Sequence, residues 1–228
     1  MPDGTTQVDT SKLKEKAEQA VSRHNFPYAM EIYQQVVSLD PNDAESRKAL
    51  RAVALRHQQE TGATSTNVML KNLFMYLRLA YLSSKDHDKT LQDCEKYLSQ
   101  DPNNYKIVMR LGDAAFAAGY FNAAAWAFED ALRVKNNNVP AWKRLQECYR
   151  KLGEVQKAMD ANRRILQLAP NDRDASQAIR DLSATSMSTK IEQAGATAAE
   201  RGKGAQTVKK DDVEYSLKSR RVQELRSL

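Results

Sequence analysis

One pattern recurs four times along the 228 residues, each time over a window of 34. A fixed period of that length constrains the fold more than any single residue does, because each window is one supersecondary unit that buries its apolar face only against its neighbours. The windows are 10–43, 71–104, 105–138 and 139–172. The last is the most regular. Trp142, Leu145 and Tyr149 recur at i, i+3 and i+7, one face of a helix. Gly153 tolerates the positive φ that ends such a helix. Ala158, Ile165 and Leu168 face inward from a second helix, and Pro170 stops it.

The other windows fill the same frame. Val108, Leu111, Gly112 and Ala115 are followed by Ala124, Phe128, Ala131 and Val134, with Asn136 in place of the closing proline. Gly112 and Ala115 are small because paired helices approach closely there. In the first window Leu13, Ala17 and Ala20 precede Ala29, Tyr33, Val36, Leu39 and Pro41. In the second, Phe74, Leu77 and Tyr81 precede Thr90, Cys94, Tyr97 and Pro102, with departures from the frame at Arg78 and Thr90.

The pattern of the four windows resembles the tetratricopeptide repeat (TPR), whose consensus has W-x₂-L-G-x₂-Y, then A-x₃-F, then P. The resemblance covers 10–172 and implies an all-α fold, a right-handed solenoid of helix–turn–helix repeats. Fold alone assigns no activity. Between the first two windows stands NDAESRKALRAVALRHQQE, an extra amphipathic helix over 44–60 with Leu50, Val53 and Ala54 inward and Asp43 as N-cap. A loop, TGATSTN, follows. This arrangement is similar to an uncharacterised bacterial TPR subgroup with a helix after the first repeat, and that likeness brings no activity.

Residues 172–184 read as a capping helix, with Ala175, Ile179 and Leu182 inward and Arg173, Asp174, Arg180 and Asp181 toward water. The solenoid is therefore expected over 10–184. Residues 1–9 and 185–228 are expected to be flexible. The latter has 9 basic and 6 acidic residues, including Lys203, Lys209, Lys210, Lys218, Arg220, Arg221 and Arg226. A short helix there would carry Val213, Leu217, Val222 and Leu225.

No catalytic or metal-binding pattern is present: no G-x-x-x-x-G-K-[ST], G-x-S-x-G, H-E-x-x-H or C-x-x-C. His24, His57 and His87 stand apart at turns and near a helix end. The chain is expected to be no enzyme and to need no cofactor. Cys94 and Cys148 read as buried small hydrophobes. No apolar run approaches the length of a membrane span. The N-terminal stretch lacks the basic-then-apolar order of a secretory signal. A cytoplasmic location is expected.

The resemblance places positions 2, 5, 9, 12 and 13 of each repeat in a concave groove. These are Asn72, Met75, Leu79, Leu82 and Ser83, then Lys106, Met109, Asp113, Phe116 and Ala117, then Pro140, Lys143, Glu147, Arg150 and Lys151. Met75, Leu79, Met109 and Phe116 make an apolar floor, and Lys106, Lys143, Arg150 and Lys151 a basic end. Two readings stay open: the floor is covered by the extra helix or by neighbours, or it is an open groove for a peptide or helix of a partner protein. The expected function is a scaffold of protein–protein interaction, with an acidic or mixed-charge segment as the favoured ligand.

Family members that dock chaperone carboxylates use lysines and asparagines at set positions. Lys14, Lys106 and Arg110 match, but Glu18 and Tyr76 replace the asparagines, so that role is not expected. The net charge of +6 admits a nucleic-acid-associated adaptor acting through the basic tail, although its acidic residues dilute the field. A regulatory subunit of an enzyme complex is the other alternative. The tail's apolar residues are also a candidate for self-association in the groove.

Overall fold

A computed structural model describes residues 9–81 and 86–184. The chain divides into two units, Met1–Ile179 and Arg180–Leu228. The described residues of the second are 180–184, which are helical. The first unit is all-α among its described residues. Its helices are α1 (Ser11–Ser22), α2 (Phe26–Leu39), α3 (Ala44–Thr61), α4 (Ser65–Lys71), α5 (Leu73–Tyr81), α6 (His87–Leu98), α7 (Tyr105–Ala117), α8 (Phe121–Val134), α9 (Val139–Lys151) and α10 (Val155–Leu168). Residues 173–179 begin a further helix, and Asp172 caps it by accepting from the Ala175 N–H at 2.9 Å.

The helix starts follow from short polar side chains. Asn25, Asp43, Thr64, Asp86, Asn104 and Asn138 each accept a backbone N–H from the first turn they precede, which satisfies a donor that has no partner within the helix. Gly153 adopts φ 73° after α9, a conformation that a side chain would strain.

The helices pair in succession as stacked helix–turn–helix repeats. Helices α7 and α8 pair, as do α9 and α10, with α6 against α7 and α8 against α9. Val108, Leu111, Ala115, Ala124, Phe128 and Ala131 are all fully buried. A Cβ built on Gly112 would lie 2.7 Å from Phe128 Cε1, so the glycine sets how closely α7 and α8 approach. In the first repeat Ala17, Ala29, Tyr33 and Val36 are buried, and Leu50, Val53 and Ala54 of α3 close the same core. Ala175 is buried at the other end, and Arg173 and Asp174 face water.

Several expectations need correction. The loop after the extra helix is shorter than TGATSTN, because Thr64 caps α4 and Ser65 already lies in it. Leu39 and Val134, assigned to the core, are half-exposed at the last turn of their helices. The largest departure is in the second repeat. Phe74 is 84% exposed and Leu77 44%. Helix α5 packs on α6 and α7, and α2 and α3 do not stack on its other side. The frame assumes a preceding repeat in that place, so the residues that would have met it are bare. The Tyr81 side chain and residues 82–85, with groove positions Leu82 and Ser83, lie outside what is described. So do residues 1–8 and 185–228, including the basic tail and Val213, Leu217, Val222 and Leu225.

Candidate functional site

The expected groove lies along the first helices of the repeats, α5, α7 and α9. Lys106, Met109, Asp113 and Phe116 fall on one stripe of α7 at i, i+3, i+7 and i+10, the side left free when Val108, Leu111 and Ala115 face the core. Met109 and Phe116 are half-buried and Lys106 is exposed. The Phe116 ring meets Phe121 edge to face, centroids 5.4 Å apart. On α9, Pro140, Lys143, Arg150 and Lys151 are exposed, and Glu147 is half-buried.

The two stripes are tied together. Arg144 Nε lies 3.2 Å from Asp113 Oδ1 and Arg144 Nη1 3.8 Å from Glu147 Oε2. Burial pushes the Asp113 carboxyl above its usual range, against the pull of Arg144 and Arg110. Lys143 is already engaged: its Nζ lies 2.6 Å from Asp172 Oδ2 and 3.9 Å from Asp174 Oδ2. The bond to Asp172 holds the Lys143 ammonium above its usual range. Arg150 and Lys151 are therefore the more available cations at this end.

Helix α5 is turned so that its two floor residues differ. Met75 is half-buried, whereas Leu79 is 3% exposed. Neighbours on the same face explain this: the Tyr76 ring lies 5.8 Å from that of Tyr97, Asn72 Nδ2 donates to Gln100 at 3.1 Å, and Arg78 pairs with Asp93. The extra helix α3 does not lie on this face. It packs on α2 and α8 and reaches α6 through the Arg47 and Arg51 side chains.

That docking uses residues the sequence reading passed over. Arg47 Nε lies 3.1 Å from Glu95 Oε1 on α6, and Arg51 Nε lies 3.3 Å from Asp130 Oδ2 on α8. All four side chains are buried. Arg51 Nη1 also donates to the carbonyl oxygens of Leu98, at 3.4 Å, and Pro102, at 3.1 Å, and its guanidinium stands 5.7 Å from the Trp126 ring centroid. Burial pushes the Arg51 pKa down, opposed by Glu95 and Asp130. The signal was present: Arg47 and Arg51 interrupt the stripe of Leu50 and Ala54 at helical spacing. Beside Arg47 and Glu95 a cleft of about 910 Å³ opens between α2 and α6, walled by Val37, Leu39, Leu91 and Tyr120.

Lys14 Nζ sits 2.6 Å from Asp43 Oδ2, so the first residue matching the chaperone clamp is occupied within the chain. Cys94 and Cys148 are free and fully buried. Burial raises both thiols, Cys148 to about 12. Among the described residues no three His, Cys, Asp or Glu side chains are placed to hold a metal ion. No described helix is long and apolar enough to cross a membrane.

The sequence model of the tetratricopeptide repeat family matches residues 81–146. That segment carries the tetratricopeptide-repeat sequence pattern, and its described helices pair as helix–turn–helix repeats. Among curated proteins the chain is 23% identical over 170 residues to FK506-binding protein 59 of Drosophila melanogaster, a match over 73% of this chain and 35% of that protein. It is 24% identical over 159 residues to the Homo sapiens protein O-mannosyl-transferase TMTC1, over 65% of this chain and 18% of that one. The matches thus span only about a third and a fifth of these relatives. Similar solved structures include the first TPR of Spaghetti (RPAP3) bound to the HSP90 peptide SRMEEVD, with TM-score 0.45, 19% identity and coverage of 54% of this chain and 95% of that one. They also include MamA, with TM-score 0.41, 19% identity and coverage of 76% and 80%.

Proposed function

We propose that this protein is a non-catalytic scaffold that holds a peptide or helix of a partner protein along α5, α7 and α9. Tetratricopeptide repeats serve protein–protein interaction generally. The observation that carries the reading here is the single stripe of α7, where Met109 and Phe116 stay half-exposed beside a helix bearing Arg150 and Lys151. Met75 extends the apolar contact, and buried Leu79 holds α5 in place beneath it. Lys106, Lys143, Arg150 and Lys151 favour an acidic segment, with Arg150 and Lys151 contributing most because Lys143 is held by Asp172.

Magnitudes assign the roles. Exposed ion pairs contribute about 0–1 kcal/mol each, whereas burying a large apolar side chain contributes about 1.5–3 kcal/mol. The apolar stripe sets most of the affinity and the cations set approach and selectivity. No cofactor takes part. The two buried free thiols support a reducing compartment, the cytoplasm.

Crosslinking recovery from native lysate tests this. Phe116→Glu, and separately Arg150→Glu with Lys151→Glu, should each lower the yield of a recovered partner. Val134→Glu on α8 should not. Loss through Val134→Glu alone would move the binding surface to the second helices.

A further inference from the structure

Seven large hydrophobic side chains are exposed among the described residues, and four of them share one ridge: Leu70 at 62%, Leu73 at 45%, Phe74 at 84% and Leu77 at 44%. The other three, Tyr28, Leu39 and Val134, lie singly on α2 and α8. The ridge residues fall at i, i+3, i+4 and i+7, and the helical path holds through the break at Asn72. There the Asn72 N–H donates to Val68 O at 3.0 Å and the Tyr76 N–H to Asn72 O at 2.8 Å. The opposite face is covered, with Val68 and Leu79 buried. A helix apolar on both faces belongs in an interior. Here one face is bare because α2 packs on α6 and α3 on α8, and α1 on α2, instead of stacking on α5.

We infer that this ridge is the dimer interface of the protein, and that a second copy of the same chain covers it. An unfilled stacking face of a repeat array accepts another repeat helix. Head-to-tail stacking would need a second bare face. At the far end of the array Ala175 is 2% exposed, and Arg173 and Asp174 beside it face water. The ridge is complementary to itself. An antiparallel two-fold crossing between Leu73 and Phe74 sets Leu70 opposite Leu77 of the other copy and Leu73 opposite Phe74. In that register the two Lys71 side chains do not oppose each other. No carboxylate lies between 64 and 81, so nothing on the ridge selects a basic partner. The patch is small beside the roughly 800 Å² per partner of a standard interface. The dimer should therefore depend on protein concentration.

Sedimentation of the full chain over the micromolar range tests this. The mass should rise from 25.7 kDa toward twice that value. Phe74→Glu with Leu77→Glu should hold it at the monomer with unchanged helical circular dichroism. Leu70→Cys mixed with Leu77→Cys should form an interchain disulfide that neither forms alone, the native thiols being buried. A monomer at every concentration overturns the inference, as does a dimer that survives the double substitution. So does a monomer that binds phosphatidylglycerol vesicles through Phe74, which would make the ridge a membrane contact. Phe116→Glu should leave dimerisation unchanged, so failure here and failure of the groove reading are told apart.

Discussion

Arg51 on the extra helix is buried against Asp130 on α8, with Nε 3.3 Å from Oδ2. The pair joins the first repeat and its extra helix to the second helices of later repeats. Arg133 Nε shares the same carboxylate at 3.1 Å from Oδ1. This contact, with that of Arg47 and Glu95, draws α3 away from the first helices and leaves both the groove and the α5 ridge uncovered by it.

Removing one partner of a buried ion pair costs about 3–5 kcal/mol when the other is left uncompensated, and Arg133, which keeps its hold on Asp130, sets the cost here toward the lower end. Arg51→Met should lower stability by an amount of that order in urea unfolding. Asp130→Leu in the same chain should restore part of it. If the double variant is no more stable than Arg51→Met, the pair is not what binds α3 to α8.

The Gly112–Phe128 contact gives a sharper packing test. Phe128 is fully buried, so its ring has little room to yield to a new Cβ. Gly112→Leu should cost about 1–3 kcal/mol by overpacking. Gly112→Ala should show the same sign despite alanine's higher helix propensity, worth about 1 kcal/mol. Phe128→Leu should relieve the clash in part. Melting of Gly112→Leu at the parent temperature would show that α7 and α8 are not in this register.

Much of this was legible in the sequence. The recurring small and large apolar positions located the paired helices, and Asp43 announced the start of α3. Two things were not legible. The spacing of Arg47 and Arg51 beside Leu50 and Ala54 marked them as inward-facing, but their partners, Glu95 and Asp130, lie on helices far along the chain and leave no local trace. Phe74 and Leu77 looked like core because the repeat frame presumes a neighbour on both sides. Only the path of α3 reveals that one side is empty. Of the groove, Met109 and Phe116 were placed by the repeat resemblance, while the burial of Leu79 and the pairing of Lys143 depend on packing.

Asp43 links stability to pH. Burial raises its pKa, but bonds from Lys14 and Ser46 outweigh that and hold it below the usual carboxylate value. A depressed carboxyl contributes stability that is fully present above its unfolded pKa of about 3.9 and is lost as pH falls through the folded value. Asp43→Asn should therefore flatten the loss of stability below about pH 4. An unchanged acid limb in this variant would show that Asp43 carries none of it.

The thiols report on the core. Burial raises both Cys94 and Cys148, and only the thiolate reacts readily. Iodoacetamide at mildly alkaline pH should leave both unmodified in the native protein and label both in urea. Rapid native labelling of Cys148 would mean that α9 opens far more readily than its packing implies.

The most direct test of the scaffold reading is site-specific photo-crosslinking in native lysate. A photoreactive phenylalanine replaces Phe116 on α7 or, in a second sample, Val134 on α8. The account predicts a discrete crosslinked product from position 116 that weakens when Arg150 and Lys151 are changed to glutamate, and none from position 134. A product from position 134 alone would contradict it and place the partner on the second helices.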